Sequence, residues 1–168
     1  MIEAVIFDLD GTLVHLPINY QRLFKKFREI MKTKDIHPLT QKISRLDKQT
    51  RQKIYEIWDK AELAALGKVK VKDEGLTIYN KFSKMPKALV TMQGRAVVER
   101  IIEGLNLSFR FVATRECSLD RIEQLREAAM KLEKELGNIL FVGDMENDSL
   151  AALEAGCRFL RIQNEDLV

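Results

Sequence analysis

The chain has little cysteine: Cys117 and Cys157 are the only two in 168 residues. That excludes a disulfide framework and fits a reducing compartment, so a cytoplasmic protein with two buried thiols is expected. Long apolar runs are missing too. None approaches the roughly 20 residues that cross a bilayer, so no membrane partner is expected. The apolar start is interrupted by Glu3, Asp8 and Asp10, with no basic stretch before it, and does not read as a signal peptide. Aromatic residues are 7% of the chain, few for the stacking platforms that single-stranded nucleic acid needs. The net charge of +3 does not by itself ask for a nucleic-acid partner, which is not expected. No internal repeat or low-complexity tract is present.

What is present is the composition of a globular domain, 46% hydrophobic and 32% charged, long enough for one domain with a small insertion. Short runs rich in Val, Ile, Leu and Phe recur at 2–7, 88–91, 109–114, 139–142 and 158–162. They read as buried strands. Helical patterns lie between them at 96–105, 119–136 and 148–155. In the first, Val97, Val98, Ile101, Ile102 and Leu105 share one face. Gly137 and Asn138 are read as the stop of the long helix. Strand–helix alternation of this kind predicts an α/β fold, a doubly wound parallel sheet with right-handed crossovers.

Residues 15–85 break the alternation. Helical patterns dominate there, as in "YQRLFKKFREIMK" and "TRQKIYEIWDKAELAAL". They read as a helical insertion placed after the first strand, with 1–14 plus 86–168 as the core. Lys and Arg number 17 in the insertion against 8 Asp and Glu. The remainder has 11 against 17. The small net charge therefore hides two oppositely charged parts. The basic part is either a solvated face or a lid presenting positive charge to an anionic ligand. His15 and His37 belong to no ligand-like cluster and read as surface residues. Trp58, in helical register with Ile54 and Ile57, reads as core of the insertion. "GKVKVKDEG" reads as an exposed loop or an edge strand protected by lysines.

The first strand ends abruptly on two acids one residue apart, in "VIFDLDGTLV". Ligands of an open parallel sheet bind beyond the carboxyl ends of its strands. Asp8 and Asp10 follow the first run, Thr91 closes the second, Thr114 and Arg115 follow the third, and Asp144 and Asp148 follow the fourth. Four carboxylates gathered there repel one another unless a cation, a proton or solvent offsets them. Mg²⁺ takes oxygen ligands, with water and phosphate completing its shell. A metal and a phosphate would therefore answer the repulsion.

"DLDGTLV", paired with "FVGDMENDSLAALEAG", resembles the haloacid dehalogenase superfamily, mostly phosphatases. The match covers residues 1–14 and about 88–162. The position of the insertion resembles the helical cap of the phosphoglycolate phosphatase-like branch. The resemblance implies a Mg²⁺-dependent phosphatase of small phosphorylated metabolites. Asp8 resembles the nucleophile that takes the phosphoryl group. Asp10 resembles the general acid/base, with its carbonyl on the metal. Gly11 would let the backbone approach phosphate, and Thr91 would hydrogen-bond a phosphoryl oxygen. Asp144 resembles the acidic metal ligand, and Asp148 a ligand or a group just behind it.

The superfamily's lysine, often in Lys-Pro, has no counterpart here. Arg121 lies nearest its place, at a helix start, with Arg115 as the rival. A guanidinium can grip two phosphate oxygens at once. Within the same fold a nucleotidase, a pyrophosphatase and a phosphosugar mutase share these motifs. A non-catalytic binding module keeping the fold is the reading from a different class.

Overall fold

A computed structural model of the protein describes residues 1–163. In chain order its elements are β1 (Ala4–Phe7), β2 (Val14–His15), α1 (Tyr20–Met31), α2 (Leu39–Ser44), α3 (Lys48–Ala65), β3 (Lys70–Val71) and α4 (Asp73–Lys81). There follow β4 (Lys87–Val90), α5 (Arg95–Gly104), β5 (Phe111–Ala113), α6 (Arg121–Leu132), β6 (Ile139–Gly143), α7 (Glu146–Ala155) and β7 (Arg158–Arg161). Five strands form one parallel sheet in the order β5-β4-β1-β6-β7. The order reverses at β1, so the crevice beyond its carboxyl end is the switch point of the sheet.

Side-chain alternation along the strands builds two cores. Ala4 and Ile6 face α6 and α7, with Leu125, Ala128, Leu132 and Ala152 packed on Phe141 and Ala88. Val5 and Phe7 face α5, with Val97, Val98 and Ile101 on Leu89 and Val142. Every residue of β1 and β4 is buried, which is why 4–7 and 88–90 read as unbroken apolar runs. A third core lies between β2 and β3 in sequence: Leu23, Phe27, Ile36, Ile43, Ile54 and Trp58. Trp58 is 4% exposed there, edge-on to Phe27 at 5.5 Å. Asp47 caps α3 by accepting the Thr50 N–H at 2.9 Å.

Two expectations are corrected. The helix expected over 119–136 spans only Arg121–Leu132. The Asp120 carboxylate caps its start by accepting the Ile122 N–H, and Glu133 turns left-handed at its end, with φ 57°. Gly137 and Asn138 instead fall in a single tight turn before β6, and Leu136 packs back on the core. Cys117 is exposed and Cys157 half-buried, so the thiols are free but not both buried. Lys70–Val71 is an exposed edge strand, as one of the two expected alternatives has it, and it pairs antiparallel with Val14–His15. Among the described residues no helix is long and apolar enough to cross a membrane.

Candidate active site

β1 stops at Phe7, yet the Asp8 N–H still donates to the Val142 carbonyl of β6 at 2.9 Å. Asp8 thus sits where sheet pairing ends, its carboxylate directed into the switch-point crevice. The chain then folds tightly on itself. The Leu9 carbonyl accepts from Leu13 N–H at 2.9 Å, and Gly11 N–H donates to Val14 O at 2.7 Å. Gly11 has φ +85°, and a Cβ there would collide with the Asp144 carboxylate. Only glycine lets this turn lie against the loop after β6.

Carboxylate oxygens of Asp8, Asp144 and Asp148 lie within 4.8 Å of one another. Asp148 reaches the group from the first turn of α7, where its side chain also accepts the Met145 N–H. Arg121, at the first position of α6, bridges the cluster. Its Nη2 donates to Asp8 Oδ1 and its Nε to Asp148 Oδ1, both at 3.1 Å. Gln124 holds the remaining nitrogen, Nη1, at 2.9 Å. Burial holds the Asp8 carboxyl well above the usual carboxylate range. Arg121 opposes this, and Asp148 and Asp144 reinforce it. Hard oxygen donors in mutual repulsion are a donor set suited to a divalent cation such as Mg²⁺.

The other expected residues are placed differently. The Asp10 side chain stands apart from the three converging carboxylates. Its Oδ1 accepts the Leu16 N–H at 2.9 Å, and the Tyr20 hydroxyl donates to it. Burial raises its pKa. The Thr91 hydroxyl is fully buried and bound to Gln93, whose N–H it accepts at 3.1 Å, while Met92 and Gln93 line the crevice. Arg115 does not reach the crevice: it is 1% exposed, ion-paired with Asp59 and Glu62 of α3.

The crevice encloses about 730 Å³. The insertion contributes His15, Tyr20, Thr40 and Lys72 to its lining. His15, though exposed as expected, therefore borders the site. Sequence reasoning gives no role to Thr12, whose hydroxyl lies 3.5 Å from both Asp8 and Asp144. It also passes over Gln124, fully buried among Leu125, Ala128 and Leu132. A glutamine on the apolar face of a helix is the available signal. Its Nε2 donates to the carbonyls of Thr91 and Ser118 at 2.9 and 3.0 Å.

Comparison with known proteins gives one family and one fold. A family model described as haloacid dehalogenase-like hydrolase matches residues 5–162. No curated protein sequence matches the chain. Among solved structures, CbbY from Rhodobacter sphaeroides in complex with phosphate is similar. Its TM-score is 0.72 at 18% identity, over 98% of this chain and 87% of that one. A superfamily hydrolase of subfamily IA, variant 1, from Geobacter sulfurreducens PCA has a TM-score of 0.65. It is also 18% identical, over 96% and 89% of the two chains. A haloacid dehalogenase-like hydrolase from Streptococcus pneumoniae has a TM-score of 0.69 at 19% identity, over 96% and 85%.

Proposed function

The chain belongs to the haloacid dehalogenase-like hydrolases, and we propose that within this family it is a Mg²⁺-dependent phosphatase of a small phosphorylated metabolite. The observation that carries the reading is the convergence of Asp8, Asp144 and Asp148 around Arg121 at the switch point. A phosphoryl group is the ligand that such a site, acidic for a metal and cationic at one corner, would accept.

In this reading an Asp8 oxygen attacks phosphorus, and the bond from phosphorus to the leaving oxygen breaks. Asp10 gives that oxygen its proton. Water then attacks the aspartyl phosphate, Asp10 takes a proton from it, and phosphate leaves with Asp8 restored. The Tyr20 hydroxyl and the Leu16 N–H hold the Asp10 carboxyl in place for both transfers. Arg121 presents two nitrogens to the carboxylates and so stands beside the oxygens that carry charge during transfer. A bound Mg²⁺ would be held by Asp8, Asp144, Asp148 and the Asp10 carbonyl, and would supply further positive charge to the phosphoryl oxygens. Residues 15–85 form the cap in this reading, and their lining side chains choose the substrate. The motif loop and the crevice are where a phosphoglycolate-like or other phosphomonoester would sit. Because Thr91 is enclosed, the phosphoryl contacts after β4 fall to Met92 and Gln93 of the same loop.

The test is phosphate release from a panel of phosphorylated metabolites and p-nitrophenyl phosphate, with Mg²⁺ and with EDTA. Release from at least one phosphomonoester, lost in EDTA, is expected. No release from any of them, or release that EDTA leaves unchanged, overturns the reading.

A further inference from the structure

Three buried side-chain polar atoms among the described residues have no hydrogen-bond partner: Trp58 Nε1, Glu62 Oε2 and Arg115 Nε. They meet at one junction, outside the crevice. The Arg115 guanidinium lies over the Trp58 ring at 4.4 Å, and its Nη1 donates to Glu62 Oε1 at 2.7 Å. Glu62 is fully buried and Arg115 1% exposed. A guanidinium and a carboxylate buried together gain little stability over apolar residues of the same size. Two of their polar atoms are also left unsatisfied, which adds cost. The pair is therefore poorly explained as glue between α3 and the core.

The remaining contacts of the pair explain it better. Besides Asp59 on Arg115 Nη2 and the Tyr55 hydroxyl on the Arg115 carbonyl, they end on the backbone of residues 91–94, the loop that lines the crevice. Arg115 Nη1 donates to Met92 O at 3.3 Å. The Arg115 N–H donates to Gln93 O at 3.2 Å. The Gly94 N–H donates to Glu62 Oε1 at 3.1 Å. A Cβ at Gly94 would collide with Asp59 and Arg115, so the loop lies directly on the charged cluster. The loop has few other anchors: Thr91 N–H on Ala113 O, Thr91 O on Gln124 Nε2, Gln93 N–H on Thr91 two residues before it, and Gly94 O accepting the Val98 N–H of α5. One carboxylate from the insertion and one guanidinium from the core thus hold the Gly94 N–H and the Met92 carbonyl, and the main chain of Arg115 holds the Gln93 carbonyl.

We propose that Glu62 and Arg115 are positioning residues, which hold loop 91–94 in its crevice-lining shape and make seating of the insertion on the core a condition of phosphate binding. The second half of this statement rests on the phosphatase reading, and the first does not. The loop has short ties of its own, so its shape depends on the pair. A displacement on the order of 1 Å near a reacting group suffices to lower rates about 10²-fold.

The experiment compares wild type, Glu62→Ala and Glu62→Gln by amide hydrogen exchange and by kinetics, well below each melting temperature. Glu62→Gln keeps an acceptor for the Gly94 N–H, and Glu62→Ala removes it. The informative amide is Gln93, which bonds to Thr91 and not to Glu62. In Glu62→Ala it should exchange at least about 10-fold faster, while Leu89 and Val90 of β4 stay protected. Glu62→Gln should recover most of the protection. With p-nitrophenyl phosphate and Mg²⁺, Glu62→Ala should weaken inhibition by inorganic phosphate and raise KM by roughly 10-fold or more. Glu62→Gln should again recover most of the loss. Faster exchange at Gly94 alone, with wild-type inhibition by phosphate and only a lower melting temperature, overturns the proposal. If wild type neither hydrolyses phosphomonoesters nor binds phosphate, the phosphatase reading fails, and Gln93 exchange alone decides the positioning role. If Glu62→Ala does not fold, Arg115→Lys takes its place. It keeps the charge but offers one ammonium where Nη1 holds Glu62 and Met92 and Nη2 holds Asp59, and the same faster Gln93 exchange is expected.

Discussion

Two arginines in this molecule have nearly the same partners and opposite situations. Arg121 lies between Asp8 and Asp148, and Arg115 between Asp59 and Glu62. Each is one guanidinium flanked by two carboxylates. The Arg121 side chain keeps 16% of its surface open and faces a third acid, Asp144, across the crevice. The Arg115 side chain keeps none, and aromatic rings of Tyr55 and Trp58 cover it. The lesson is that the surroundings, and not the ion pairs, make one cluster a site and the other a joint. An open cluster that borders the crevice can exchange its partners for a ligand. A sealed one can only hold what already touches it.

Breaking the open cluster should have the largest effect. Asp8→Asn should lower phosphate release by about 10³ or more while circular dichroism stays unchanged, since an amide is a poor nucleophile. Activity above one tenth of wild type would remove Asp8 from the role. The sealed cluster should fail differently. Arg115→Ala leaves Glu62 buried without its counter-charge and should lose about 3–5 kcal/mol of stability in urea melts. A loss under about 1 kcal/mol would mean the joint is not sealed. Arg121→Ala should retain stability and lower turnover by roughly 10²–10³, with Arg121→Lys recovering part. If Arg121→Ala instead unfolds the protein, the two arginines are alike after all.

The smallest effect is in pH. Burial raises the Glu62 carboxyl to about 7, against the lowering effect of Arg115. A carboxyl with a folded pKa above its unfolded one favours the fold most below about 4.5, its ordinary value. That contribution falls as pH rises through about 7, by on the order of 3 kcal/mol at most. Stability of wild type should therefore decline between about pH 5 and 7.5 relative to Glu62→Gln, which lacks the titrating group. Parallel urea midpoints for the two proteins across that range would refute it.

Much of the fold is legible in the sequence because β1, β4 and β6 are buried on both faces, so composition alone marks them. The acids of the crevice are legible for a related reason: a charge at the end of a buried run has few structural explanations. Arg121 can be singled out by its place at a helix start, but not separated from Arg115. Both stand near strand ends, and only the packing of α3 over Arg115 distinguishes them. Sequence patterns carry no sign of that packing, because Asp59 and Glu62 read as ordinary polar positions of an amphipathic helix. The β3 half of the short ribbon is legible as an edge strand from the alternation of Lys and Val over 68–72, but its partner Val14–His15 is not, since two residues show no periodicity. Thr91 stands in the right place in sequence for a phosphate contact, and only the adjacent Gln93 side chain reveals that its hydroxyl is turned inward.

The central place of β1 in the sheet has a consequence for how the chain is made. β1 is made before both of its neighbours, residues 87–89 and 139–142. At about 5–20 residues per second, the second neighbour is synthesised on the order of ten seconds later. Throughout that interval the edge of this apolar strand that faces β6 is unpaired, and until residues 87–89 are made the other edge is unpaired too, while the helices from α1 to α3 can already close on their own core. Non-local pairing of this kind slows folding and exposes strand edges. The nascent chain is therefore most prone to aggregate before α7 is complete, and holdase chaperones that bind its first strand would protect it best in that window.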